Sequence, residues 1–379
     1  MLLTDRQTDR QTDRQTDRQT DRQTDRQTDR QTDRRIVGLD YARAVAILLV
    51  LLVHATENLY VMDAVHLNAM SVQSRIFAII CFTLGRLGVP LFLFLSGYLL
   101  LDRSYTELAI HKFWKKNWLG MLVTTEVWII LYDIFLRAFH FQHWSTWGLL
   151  RDMLLTNQVH MAHMWYMPMI IGVYVCIPFA ARALQGISLR VVFFPLVLFS
   201  AYAFGVPAWK SIFPKSPALV LIDLGFAGGV YGLYLLWGWR VKKGLFKNIH
   251  ARTIGGCAVA LFLLVLGIEL ASYARGIAYN VWYNNAFLAG SALLLFSFFV
   301  RIKNGLDYSA LCWLSRNSFG IYLLHFPALM LIQKILLVLP WMMPTKVMIL
   351  WLAVLFVSCV LCWIIDHFPR LARILLYNR

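Results

Sequence analysis

Two residues that are chemically out of keeping with their surroundings share one apolar stretch, LDYARAVAILLVLLVHA, residues 39–55. Arg43 is a permanent cation, His54 is the side-chain type that exchanges a proton near neutral pH, and nothing ionisable stands between them. On an α-helix, eleven residues turn about 1,100°, roughly 20° beyond three whole turns, and rise ~16 Å. The two groups therefore share a face, about half a hydrocarbon core apart in depth. An arginine facing lipid costs ~2.5–3.5 kcal/mol, so this face should line a polar cavity. The plainer alternative is an interfacial arginine that snorkels and a histidine at the helix exit.

Further along, Arg86 opens RLGVPLFLFLSGYLL, in which Pro90 and the pair Ser96 and Gly97 interrupt an apolar run. Such interruptions survive in lipid where protein or water satisfies the freed backbone groups. A kinked helix beside a cavity and close packing through small residues are both open readings. Lys112, Lys115 and Lys116, in HKFWKKNW, either bind phosphates or anchor a span at the cytoplasmic face. Glu126 and Asp133 are seven residues apart, share a helical face and should meet Arg or His across a bundle. HMAHMWYMP spaces His160 and His163 as a metal pair would be, but no third ligand fits and no metal is expected. His163, Trp165 and Tyr166 read instead as an edge that contacts substrate. SFGIYLLH, residues 318–325, reads as a helix start capped by Asn317 or Ser318, with Tyr322 and His325 one turn apart. His325 is then either a packed core histidine or a site residue. There is no Gly-rich phosphate loop, G-x-S-x-G elbow or Walker motif.

The elements that position these residues belong to a membrane. Of the 379 residues 59% are hydrophobic and 15% charged, which describes a polytopic membrane protein. Fourteen Trp and sixteen Tyr suit aromatic belts at the two interfaces. The formal charge of +16 does not point to nucleic acid, because the basic residues are spread over short connections. Six cysteines, mostly inside apolar runs, argue against a disulfide framework, and the C-x-x-C of Cys359 and Cys362 lacks the context of a redox motif. Apolar runs of spanning length fall at 39–61, 76–101, 118–139, 164–184, 191–206, 218–239, 253–273, 284–301, 318–338 and 347–367, the fifth being the shortest. The connections after even-numbered spans, with the C-terminal tail, hold seventeen Lys and Arg against seven in the opposite set. Both termini are therefore expected in the cytoplasm. The outer connection from His140 to His163, with Trp144, Trp147, His143 and His160, should cover the outer mouth of the site. The expected fold is all-α, a polytopic membrane helix bundle of about ten transmembrane helices over residues 36–379.

Residues 1–35 form a separate leader. From Thr4 to Arg34 the chain repeats Thr-Asp-Arg-Gln, with eight Asp and eight Arg that cancel in charge. It has no apolar face to bury and should be disordered. No apolar h-region follows Met1, so it reads as neither signal nor transit peptide. The codons ACA, GAC, AGA and CAG spell these four residues and join into the tetranucleotide ACAG repeated, so the leader looks like a translated microsatellite. Slippage in such a tract would switch expression on and off, unless the true start lies downstream.

Taken together, Arg43 and His54 in R-x10-H, Arg86 with VPLFLFLSGYLL, His163 with MWYMP, and SFGIYLLH resemble the membrane-bound acyltransferase-3 family. Its members move acyl groups, most often acetyl, onto sugars of surface glycans. The resemblance covers residues 36–379 and is greatest for the shorter type without an extracytoplasmic domain, such as the O-acetyltransferase of enterobacterial common antigen. It implies His54 as the catalytic histidine and Arg43 as its companion, bound to the phosphates of an acyl-CoA donor, acetyl-CoA first. Lys112, Lys115 and Lys116 would assist at the donor, although the family's Arg-x-x-Arg is here Lys-x-x-Lys, without the bidentate fork. Arg86, Glu126, His163, Trp165, Tyr166, Tyr322 and His325 are the candidate substrate contacts. The expected protein is a bacterial inner-membrane O-acetyltransferase acting on a surface polysaccharide, a lipopolysaccharide or a lipid-linked precursor. A secondary exporter with buried charges is the rival reading, although spans 1–5 and 6–10 show no internal repeat. A structural subunit of an envelope assembly would not require His54.

Overall fold

The computed structural model describes residues 36–141, 145–156, 162–213, 229–277, 281–303 and 308–377. The leader, with the expected disorder of residues 1–35, lies outside the described residues, as do His143, Trp144 and His160. Among the described residues there is no β-strand. The helices are α1 (Val37–Leu59), α2 (Ala64–Ala69), α3 (Val72–Gly85), α4 (Gly88–Leu100), α5 (Glu107–Phe113), α6 (Leu119–Ala138), α7 (Thr146–Met153), α8 (Tyr166–Leu184) and α9 (Leu189–Ile212). They continue as α10 (Gly229–Lys242), α11 (Ala251–Ala274), α12 (Ala286–Phe299), α13 (Tyr308–Val338), α14 (Met343–Asp366) and α15 (Pro369–Leu375).

The protein is an all-α, polytopic helix bundle, because only helices and closed barrels satisfy a backbone inside hydrocarbon. Among the described residues, eight segments are long and apolar enough to cross a membrane: α1, α3 with α4, α5 with α6, the stretch from His163 through α8, α9, α11, α13 and α14. Two of the ten expected spans are shorter helices. Both α10 and α12 have 14 residues, about 21 Å of rise against a core of ~30 Å. Residues 214–228, which precede α10, lie outside the described residues. Ahead of α12 the irregular backbone at 281–285 is bonded to protein: Val281 donates to Glu269, and Tyr283 accepts from the Tyr234 hydroxyl. Asn285 then caps the helix through the amides of Phe287 and Leu288.

Three boundaries differ from the sequence reading, each for a local reason. The fifth span, expected to be the shortest, runs 24 residues because Pro195 and Pro207 stay inside it. The ninth begins ten residues early, at Tyr308, so Asn317 does not cap a start. Its side-chain amide instead donates to the carbonyl of Trp313, one turn back. In the second span Arg86 and Leu87 form a turn between α3 and α4. Pro90 has no amide to offer the carbonyl of Arg86, which breaks the helix there. Ser96 and Gly97 break nothing.

α1 lies at the centre, with Ala42, Ala46, Ile47 and Ala55 fully buried. Gly85 and Gly88, on either side of the turn, face its backbone at Leu49 and Ala46 so closely that a Cβ would collide. Gly97 and Gly238 do the same between α4 and α10, where a Cβ on either would overlap a carbonyl oxygen of the other helix. Helix contacts in membranes depend on such small residues, since lipid supplies no hydrophobic drive between helices.

Candidate active site

Four helices each turn one face toward a cavity of about 540 Å³. α4 contributes a stripe at helical spacing, Val89, Phe92, Leu95, Ser96 and Leu99, ending at Arg103 just past the helix. α1 contributes Arg43, Val50, Val53 and His54; α13 contributes Ser315, Arg316, Phe319 and Tyr322; α8 contributes Tyr166, Ile170 and Tyr174. Arg43 and His54 thus share a face and line one cavity, as the eleven-residue offset requires.

At one end the imidazole of His54 is oriented by a carboxylate. Its Nδ1 lies 2.6 Å from Glu57 Oε1, three residues on along α1. An ionised carboxylate only accepts, so Nδ1 carries the proton and Nε2 keeps its lone pair. Glu57 is held in turn by Arg86, whose Nη2 is 3.4 Å from Oε2. The Arg86 guanidinium donates to the Tyr283 hydroxyl at 3.3 Å and stacks on the rings of Phe82 and Trp282, at 4.4 and 4.7 Å. Carboxylate, guanidinium and rings form one chain of support behind His54.

Two further histidines surround it. The His325 ring stacks on His54 at 5.2 Å, and the His163 ring meets it edge-on at 6.3 Å. His325 Nδ1 bonds to the Tyr322 carbonyl, so that nitrogen bears the proton. The Tyr132 hydroxyl gives its hydrogen to the Leu323 carbonyl and accepts from His163 Nε2 at 3.2 Å. His163 Nδ1 and His325 Nε2 are left as buried lone pairs without a hydrogen-bond partner. Among the described residues no three His, Cys, Asp or Glu gather as metal ligands.

The other end of the cavity is basic. Arg43 lies 3.4 Å from the hydroxyl of Ser315, which donates to Asp40 at 2.6 Å. Arg103 and Arg316 complete this end with Asn117 and Tyr377. Between the ends the lining is mostly apolar, aliphatic side chains alternating with the rings of Phe92, Tyr166, Tyr174, Phe319 and Tyr322.

A family model described as an acyltransferase domain, that of the acyltransferase-3 family, matches residues 36–367. The chain belongs to the acyltransferase-3 family. No curated protein and no solved structure matches it, so the finer likeness to the enzyme of enterobacterial common antigen gains no support.

In this membrane acyltransferase the candidate residues separate into those at the cavity and those away from it. Arg43, His54, His163, Trp165, Tyr166 and Tyr322 line it. His325 lies behind the lining, with no exposed surface, and Arg86 supports Glu57 rather than facing the main cavity. Lys112, Lys115 and Lys116 are exposed, on α5 and on a π-helical turn at 114–118, outside the lining; Asn117 of that turn reaches it. Glu126 is half-buried on α6 and also outside the lining, with Oε2 lacking a hydrogen-bond partner. Asp133 does not pair across the bundle: it meets Arg137 at 2.6 Å on its own helix, where i,i+4 spacing supplies a cation without a second helix. Of the connection from His140 to His163, Trp147 is exposed on α7 beneath Arg151.

Glu57, Tyr283, Trp282, Arg103 and Arg316 escaped the sequence reading. His54 and Glu57 do spell H-x-x-E, an i,i+3 pair that puts both side chains on one face. Arg103 and Arg316 read as topology anchors, and nothing along the chain tells that their ends converge.

Proposed function

We propose that this acyltransferase moves an acyl group, acetyl in the first instance, from cytoplasmic acyl-CoA to a hydroxyl of a surface glycan or its lipid-linked precursor. The observation that carries the reading is one cavity lined by Arg43, Arg103 and Arg316 and by His54, whose ring is paired with Glu57. Coenzyme A is polyanionic at its nucleotide end and neutral along its pantetheine arm. A passage that is basic at one end, largely apolar in the middle and furnished with a base at the other has the same gradient. The ~16 Å between Arg43 and His54 leaves the phosphates low and the thioester high.

The chemistry asked of the protein is a proton transfer coupled to acyl transfer. His54 Nε2 takes the proton of the sugar hydroxyl as its oxygen attacks the thioester carbonyl. The carbon–sulfur bond breaks, the carbon–oxygen bond forms, and the imidazolium returns the proton to the departing thiolate. Glu57 holds the ring in the competent tautomer and offsets the imidazolium charge, while Arg86 fixes Glu57. The same Nε2 lone pair would serve if His54 carried the acyl group between donor and acceptor. Family membership favours acyl transfer over export.

The Lys and Arg bias supports a bacterial inner-membrane protein with both termini, and the basic end of the cavity, in the cytoplasm. The repeat leader supports switchable expression, which suits an enzyme that alters an exposed antigen. His54→Ala is expected to abolish surface O-acetylation, seen as loss of one acetyl mass from the glycan, with the protein still in the membrane. Full acetylation by that variant overturns the assignment.

A further inference from the structure

The match to the acyltransferase domain stops at residue 367, yet Leu376 and Tyr377, beyond it, also line the cavity. The short helix α15 delivers them. Ala372 and Leu376, four residues apart, share its buried face, while Arg370, Leu371, Arg373 and Ile374 are exposed. The Trp128 indole of α6 donates to the Leu375 carbonyl at 2.8 Å, and the Tyr377 hydroxyl donates to the Asn117 carbonyl at 2.8 Å. Two glycines make room for the pair: a Cβ on Gly320 would meet the Leu376 side chain at 2.7 Å, and one on Gly120 the edge of the Tyr377 ring at 2.8 Å. Tyr377 itself has a φ of +54°, a left-handed conformation that a tyrosine holds only where its surroundings enforce it. Building on the acyl-transfer reading, we propose that Tyr377 is a donor-binding residue, its ring the wall on which the neutral pantetheine arm of acyl-CoA rests.

Depth in the passage selects the arm rather than the nucleotide. Arg43 lies 3.4 Å from Ser315, which marks the level of the phosphates. Phe319 is four residues further along α13, ~6 Å of rise toward Tyr322 and His325, and the His325 ring stacks on His54. The Tyr377 ring meets the Phe319 ring edge-on, with centroids 5.7 Å apart. Tyr377 therefore stands about one turn inside the basic mouth, between the arginines and the base. A donor with its thioester at His54 and its phosphates at the arginines carries its purine beyond them, away from this ring. What passes Tyr377 is a chain of amides and methylenes without charge. The Tyr377 hydroxyl is committed to Asn117, so the surface left to the passage is the ring, an apolar contact that suits such a chain. Phe319, in the same lining, extends that surface.

The test removes the ring and leaves Leu376 and the Trp128 bond in place. Membrane vesicles carrying wild type, Tyr377→Ala, Tyr377→Phe or His54→Ala receive either acetyl-CoA or S-acetylpantetheine, which has the same arm without the nucleotide, each radiolabelled in the acetyl group. The acceptor is oligosaccharide released from the producing cells' own surface glycan and stripped of esters by mild alkali. Tyr377→Ala is expected to raise the KM of both donors at least tenfold with kcat within threefold of wild type. Tyr377→Phe, which keeps the ring and loses only the bond to Asn117, should stay within threefold in both KM values. Unchanged KM values in Tyr377→Ala, with or without a loss of folded protein, overturn the assignment and leave acyl transfer standing. So does a rise confined to acetyl-CoA, which would give Tyr377 to the nucleotide, or an equal rise in Tyr377→Phe, which would give the effect to the hydroxyl. Wild-type labelling by His54→Ala overturns the acyl-transfer reading itself.

Discussion

A histidine whose Nδ1 is tied to a carboxylate has one nitrogen left for chemistry, and in this protein that nitrogen belongs to the ring facing the cavity. In the proposed mechanism Glu57 therefore matters for catalysis without reaching the donor. Glu57→Gln keeps an oxygen for the Nδ1 proton but removes the charge that offsets an imidazolium. It should lower kcat by about 10²–10⁴, the range of general acid–base contributions, with the acetyl-CoA KM nearly unchanged and partial recovery in Glu57→Asp. Equal losses in kcat and in the amount of folded protein would make Glu57 a structural residue. The sequence exposes His54 and Arg86 because each is ionisable within an apolar run. Glu57 hides because it stands near the end of its run, where an acid looks interfacial. His325 looks like a ligand by the same logic, but its Nδ1 bond to the Tyr322 carbonyl and its full burial make it a support behind His54.

Helices are positioned by the places where their backbones come closest, and here those places are glycines. Gly97 and Gly238 each abut a carbonyl of the opposite helix, so neither neighbour can yield by turning a side chain. Gly97→Ala and Gly238→Ala should each lower the melting temperature of the detergent-purified protein, because relief requires α4 and α10 to separate. Overpacking of this kind costs about 1–3 kcal/mol or more. Gly172→Ala, with no heavy atom within 4 Å of the new methyl, is the matched control and should melt like wild type. Since α4 carries the stripe from Val89 to Leu99, the first two variants should also lower acyl transfer at temperatures where the protein is still folded. Hydropathy locates such spans because length and apolarity are local properties. It cannot say which of two readings applies at an interruption: Pro90 proved a break and Gly97 a contact. It also misses the early start of α13, because helix can extend past the apolar stretch into residues 308–317.

At the scale of the whole molecule, the basic mouth is assembled from three separate places in the chain: Arg43 on α1, Arg103 after α4 and, more than two hundred residues further on, Arg316 on α13. A linear reading gives the phosphates to Arg43 with help from the lysines at 112–116 and leaves Arg103 and Arg316 as topology anchors, whereas the folded chain brings separate helix ends to one opening. Two donors separate a phosphate clamp from a merely structural mouth. Acetyl-CoA carries the nucleotide phosphates; S-acetylpantetheine has the same thioester and arm without them. Arg43→Ala, Arg103→Ala and Arg316→Ala should each raise the KM for acetyl-CoA about tenfold, equivalent to ~1.4 kcal/mol, and leave that for S-acetylpantetheine within twofold. The acetyl-CoA KM of wild type should also climb with added salt, because exposed charge pairs are screened over about 10 Å at 0.1 M. If the arginines only shape the opening, both donors weaken together and salt has no effect, and the phosphates must then be held elsewhere.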